Sequence, residues 1–169
     1  MRQVEFLNEV MPFRDKLYRL AKRLLVSAEE AEDATQEVLL KLWAKKDSMG
    51  QYRSAEAVAM TMTKNFCLDR LKSKQATNLT LLHTNFTGHG PSLQREVETK
   101  DSVHWVQKIM QELPETQRMV LQMRDVEQYE YEEIAQILEM KPTAVRVALS
   151  RARKTVRDQL MKKHNYGTG

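Results

Sequence analysis

With 169 residues, 41% of them hydrophobic and 30% charged, the chain is long enough for one domain or two small ones and too apolar to be disordered. Its net charge of +4 is mild, so affinity for an anionic partner has to come from where the charges cluster and not from the total. The single cysteine, Cys67, excludes an intrachain disulfide, and the four histidines are scattered without metal-ligand spacing, so no metal or other cofactor is expected.

The opening stretch MRQVEFLNEVMPFRDK breaks its apolar residues with charges, unlike a signal peptide. No apolar run approaches membrane-spanning length, and a cytoplasmic protein without membrane insertion is expected. Helical periodicity then dominates. Leu17, Leu20, Ala21, Leu24 and Leu25 share one stripe of an amphipathic helix. Ser27, with Glu30 three residues later, has the spacing of a capping box and opens a second helix over 28–45. The segment 47–54 holds Gly50 and reads as a loop, and a third helix is expected over 55–74.

In the second helix Ala31, Thr35, Val38, Leu39 and Leu42 form the core stripe, with Asp33, Gln36, Glu37 and Leu40 directly opposite. An acidic and amide stripe with one outward leucine fits a protein–protein contact with an apolar anchor and charged rim, or an ordinary solvated face. The third helix ends in basic character. Its spacing places Lys64, Asn65, Asp69 and Lys72 near one another on an outer surface, with Arg70 and Lys74 adding charge and Phe66, Leu68 and Leu71 turned to the core. An ordinary lysine-bearing surface is an equal alternative for this segment.

From Gln75 to Lys100 the texture shifts to Thr, Asn, Gly and Pro with no sustained period. These 26 residues extend to at most about 85–95 Å. The expected fold class is all-α: two small helical domains, 1–75 and 101–169, joined by a flexible linker, 76–100. The second domain begins with a helix to about Leu113, restarts after Pro114, and continues to about Val126.

The charge then reverses. Residues 111–139 carry eight acids and two bases, a net of −6, whereas 141–163 carry eight bases and one acid, a net of +7. DNA attracts the second segment and repels the first, so one orientation on a duplex is favoured. In a helix over 143–160, Val145, Ala148, Leu149, Ala152, Val156 and Leu160 form the core face. Thr143, Val147, Ser150, Arg151, Lys154 and Arg157 lie opposite, with Arg146 and Arg153 on the flank. The preceding helix buries Ile134, Ala135 and Leu138, and Ala135 is small enough for two helices to cross closely. This is a helix-turn-helix pattern, with Arg146 and Arg151 as candidates for guanine contacts and Val147 for a thymine methyl. No nucleophile has a base partner nearby in sequence, so no enzyme is expected.

The stretches DATQEVLLKLW (33–43), KNFCLDRLKSK (64–74) and LPETQRMVLQMRDVEQYEYEEIAQIL with AVRVALSRARKTVRDQL (113–160) resemble the extracytoplasmic-function sigma factors of bacteria, in the order region 2, variable linker, region 4. The resemblance implies a transcription initiation factor whose partners are core RNA polymerase, promoter DNA and an anti-sigma factor. Asp33, Gln36, Glu37 and Leu40 match the family's polymerase-docking helix. Asn65 matches a position that helps capture a flipped promoter base, and Lys64, Asp69, Arg70 and Lys72 match the helix lining the element nearer the start site. The last helix matches the reader of the upstream element. The chain departs from the family in the turn before that helix, where Glu139, Met140, Lys141 and Pro142 stand in place of the usual glycine-containing turn. A stand-alone helix-turn-helix regulator is the alternative reading.

Overall fold

The computed structural model describes residues 2–51, 54–83 and 102–168, so most of the stretch read as linker lies outside the described residues. Among the described residues every regular element is helical. The N-terminal module consists of α1 (Gln3–Leu25), α2 (Ala28–Ala44) and α3 (Ala55–His83), with a tight 3₁₀ turn at Lys46–Gln51. The C-terminal module consists of α4 (Ser102–Gln111), α5 (Glu115–Leu121), a π turn at Gln122–Val126, α6 (Tyr131–Leu138) and α7 (Pro142–Thr168). No helix among the described residues is long and apolar enough to cross a membrane.

α1 is the spine. Phe6, Val10, Phe13, Leu17, Leu20, Ala21, Leu24 and Leu25 are buried along one face, which packs against α2 and α3. Each fully buried Leu or Phe of that stripe contributes about 1.5–3 kcal/mol. α2 answers with Ala31, Ala34, Thr35, Val38 and Leu42. The buried Thr35 hydroxyl donates to the Ala31 carbonyl at 2.8 Å, so no polar atom is stranded there.

The corner between α1 and α2 is abrupt. Val26 sits at φ 72° and ψ −43°, and the Ser27 N–H donates to the Leu25 carbonyl at 2.8 Å. This is a γ-turn with a β-branched residue at its centre, a strained arrangement. Ser27 caps α2 as expected, its Oγ accepting from the Glu30 N–H at 3.2 Å. The reciprocal half of a capping box does not form, because the Glu30 carboxylate reaches Arg70 and Lys74 on α3 instead.

α3 also runs past the expected end near Lys74, continuing to His83. Residues 74–83 contain neither Gly nor Pro, and the Thr77 hydroxyl is bonded back to the Ser73 carbonyl at 3.1 Å, so nothing local stops the helix.

α5 does not end cleanly. The Glu127 N–H bonds the Gln122 carbonyl at 3.0 Å, five residues back, and this widened turn places the side chains of Gln122 and Glu127 inside the molecule. The chain then reverses at Gln128, φ 63°, before α6. The turn between α6 and α7 places Glu139 in the left-handed region, φ 55° and ψ 49°, and the Met140 N–H closes onto the Ala135 carbonyl at 2.9 Å. Pro142 opens α7, where a missing N–H costs nothing. A glycine at position 139 is free of the Cβ clash, so Glu139→Gly is expected to raise stability by about 0.5–1 kcal/mol. Urea unfolding checks this, and a lower midpoint would mean that the Glu139 side chain makes contacts outweighing its backbone cost.

The two modules do not stand apart. α1 packs on α5 and the π turn, α3 lies against α6, and buried residues from both modules form one continuous apolar cluster.

Candidate nucleic-acid and protein interfaces

α7 separates its faces by burial. Val145, Leu149 and Ala152 are buried against α5 and α6, with Ala148 and Val156 packed at the margin. Thr143, Arg146, Val147, Ser150, Arg151, Lys154 and Arg157 are all exposed, and Val147 is open to solvent at 48% despite being apolar. The sequence period therefore assigns this helix's inner and outer faces correctly.

The outer cations differ in how they are held. Arg153 is clamped on Asp125 through both carboxylate oxygens, and this hydrogen bonding raises its pKa further. Lys154 pairs with Asp158 at 2.7 Å one turn along, which lowers the Asp158 pKa. The Arg146 guanidinium lies over the Tyr131 ring, 4.7 Å from its centroid, with Arg124 on the same ring at 4.5 Å. Tyr131 thus holds the Arg146 side chain in place, a contact that sequence reasoning missed. An aromatic at the first position of the helix before a recognition helix is the signal that was available.

On α2 the stripe opposite the core stays outside. Asp33, Gln36 and Leu40 are exposed, with Leu40 63% open to solvent, and Glu37 is half-buried. Asp33 is not independent of α3, since Arg70 Nη2 reaches its carboxylate at 3.0 Å. Arg70 and Lys41 also face the Phe66 ring, each 5.3 Å from its centroid.

The outer surface expected on α3 is only partly formed. Asn65, Asp69 and Lys72 are exposed and Arg70 is half-buried, but Lys64 is buried, only 6% accessible. Its Nζ donates to the Ile137 carbonyl at 2.9 Å, in the last turn of α6. A helix's last carbonyls lack intrahelical partners and sit at the negative end of its dipole, so a lysine beneath that end is well satisfied. The expectation that Lys64 shares the open surface with Asn65 and Lys72 fails in this conformation because α6 covers it. Cys67, one turn further along, is fully buried, and burial pushes its thiol up to about 12, leaving it protonated and unreactive.

The seam between modules carries a polar cluster. Arg19 grips the Glu127 carboxylate with two bonds of 2.7 Å, and Gln122 Nε2 donates to the same carboxylate at 3.0 Å. Arg23 reaches the amide oxygens of Gln122 and Gln111 at 3.0 and 3.2 Å. Burial lowers the Arg23 pKa, helped by the nearby charge of Arg118. Beside this cluster runs a groove between α1 and α4 where Val26, Val103 and Val126 are exposed, flanked by Lys22, Arg23 and Lys108.

The chain is similar in sequence and fold to known proteins. The Sigma-70 region 2 family matches residues 10–77, and the Sigma-70, region 4 family matches residues 104–156. The chain is 24% identical over 168 residues to the ECF RNA polymerase sigma factor SigW of Bacillus subtilis, covering 94% of this chain and 90% of that protein. It is 26% identical over 161 residues to the RNA polymerase sigma-H factor of Pseudomonas aeruginosa, covering 87% and 81%. Its fold is similar to that of the sigma factor RpoE from Bartonella quintana, solved in complex with the anti-sigma factor NepR, with a TM-score of 0.76 at 20% identity over 93% of this chain and 97% of that one. CnrH, solved with the cytosolic domain of CnrY, gives a TM-score of 0.70 at 18% identity over 95% and 90%. With the two family regions in order and SigW matched over 90% of its length, the chain belongs to the sigma-70 family as an extracytoplasmic-function sigma factor that directs RNA polymerase to promoters.

Proposed function

We propose that the two exposed faces divide the work of initiation between them. The α2 stripe of Asp33, Gln36, Glu37 and Leu40 docks core polymerase, and the outer face of α7 reads the upstream promoter element. In α3, Asn65 with Asp69, Arg70 and Lys72 lines the element that melts, joined by Lys64 once α6 has moved away. The domains that carry these roles span 1–75 and 101–169, with 76–100 as a tether. No bond chemistry is involved and the protein is not an enzyme. Opening a duplex costs a few kcal/mol per unstacked step, which single-strand contacts to bases and phosphates offset.

The observation that carries this reading is Leu40. It is 63% exposed at the C-terminal end of an acidic and amide stripe, opposite a buried core face. An apolar anchor inside a charged rim is the make-up of a protein interface. The family match over the N-terminal module disfavours a stand-alone regulator, which has no need of that stripe. The protein acts in the cytoplasm, where its polymerase is. Because RpoE, a protein of similar fold, was solved with an anti-sigma factor, the cationic and apolar groove beside the seam is the surface we assign to an inhibitor of that kind.

Capture of core polymerase tests the docking assignment. Asp33→Ala with Glu37→Ala and Leu40→Ala is expected to weaken capture by about 2 kcal/mol or more, roughly thirtyfold. Undiminished capture by the triple variant, or failure of the wild type to bind, removes the assignment.

A further inference from the structure

The groove between α1 and α4 has a chemistry that neither promoter reading nor polymerase docking uses. It encloses about 630 Å³, within the size range of small-molecule sites. Arg19, Lys22 and Arg23 from α1 and Lys108 from α4 line it, and no Asp or Glu does. Arg19 is matched by Glu127. Lys22, Arg23 and Lys108 have no ion pair among the described residues, so this concave surface keeps positive charge that the protein does not neutralise.

Arg23 is the fixed part of the groove. A basic residue in the last turn of a helix ordinarily serves that helix's own carbonyls. Arg23 instead reaches across the seam, where the oxygens of Gln122 and Gln111 accept from Nε and Nη1 at 3.0 and 3.2 Å. Both acceptors are neutral amides. They orient the planar guanidinium but leave its charge unmatched, with Nη2 bonded to no acceptor among the described residues. Arg118 adds positive charge close by, and its own buried Nε lacks an acceptor. An anion on Arg23 relieves that repulsion.

The rest of the groove is apolar. Val26 is 59% exposed, Val103 60% and Val126 43%, with Val106 and Met110 continuing the surface. Val103 and His104 belong to the first turn of α4, whose dipole is positive at that end. A guanidinium held in place and flanked by lysines suits a phosphate group, and the valines suit an apolar body attached to it.

We propose that this groove binds a small organic phosphate of nucleotide size, with its phosphates on Arg23, Lys22 and Lys108 and its base against Val26 and Val126. The proposal goes beyond the assignment of the groove to an inhibitor and does not rest on it; a nucleotide and an inhibitor that both use the groove compete for it.

Calorimetric titration of the full chain with the four ribonucleoside diphosphates, without magnesium so that the phosphates keep their charge, tests it. At least one is expected to bind with a Kd below about 100 µM and about tenfold more tightly than pyrophosphate, which lacks the apolar body. Lys22→Gln with Lys108→Gln is expected to weaken that nucleotide about tenfold while leaving thermal unfolding nearly unchanged, since both lysines are exposed. Arg23→Lys, which keeps the charge and loses the planar fork, is expected to weaken it about threefold or more. Lys45→Gln, which removes one charge at the exposed end of α2, is expected to bind as wild type. The proposal is overturned if no nucleotide binds more tightly than about 1 mM, or if pyrophosphate binds equally well. It is also overturned by undiminished binding in the double variant or in Arg23→Lys, or by an equal loss in Lys45→Gln. Displacement of the nucleotide by a mixed-sequence duplex of about twenty base pairs would assign these cations to DNA and overturn it as well. The titrations use the free chain alone, so failure of the inhibitor or polymerase assignments leaves them untouched.

Discussion

Truncating Leu149 to alanine is expected to destabilise the protein by about 2–5 kcal/mol. Leu149 is 2% accessible and sits about two turns into α7, between Val145 and Ala152, where the helix presses on α5 and α6. The loss combines the transfer energy of the missing carbons with a cavity that a helix packed on α5 and α6 cannot fully close. For a chain of this size the melting temperature is expected to fall by roughly 4–20 °C. Because one apolar cluster spans both modules, the transition is expected to remain single, and calorimetry checks both points. A shift under one degree would show that α7 is not packed through this residue.

The second large effect concerns reading DNA. Arg146→Ala and Arg151→Ala are each expected to weaken binding to an upstream promoter element by about 1–3 kcal/mol, the value of a bidentate guanine contact, and to relax preference at one position. Both residues are exposed, so neither change disturbs the core. Arg146 already stacks on Tyr131, so its side chain is partly ordered before DNA arrives and its loss is expected to be the larger of the two. Lys154→Ala and Arg157→Ala differ in kind. They are expected to weaken all sequences alike and to flatten the salt dependence by about one unit each. Binding measured over a panel of point-mutated elements separates the two classes, and unchanged affinity for both arginine variants removes the major-groove assignment.

The elements that announce themselves in the sequence are those whose partners are local or whose pattern repeats. The stripe of α1, the Ser27 cap and the two-faced character of α7 all follow from spacing within a single helix. The burial of Lys64 does not, because its partner is a backbone carbonyl 73 residues away that carries no side-chain signature. Glu127 looks like one more solvated acid in an acidic segment, yet it is among the most buried carboxyls of the chain because Arg19, 108 residues earlier, meets it across the seam. The π turn that brings it inward has no sequence rule strong enough to foresee. Beside the shared apolar cluster, the modules meet through charged and amide groups, which are the residues that periodicity assigns to water.

The ion pair between Asp33 and Arg70 joins the ridge assigned to polymerase with the helix assigned to DNA. Whichever partner arrives first takes one half of the pair and liberates the other. Linkage then requires reciprocity: the factor by which polymerase sharpens strand binding equals the factor by which the strand tightens polymerase. A partly exposed pair of this kind contributes at most about 1 kcal/mol, so the mutual gain is bounded near fivefold. It is a modest cooperativity, set in advance by where two side chains of the free protein happen to meet.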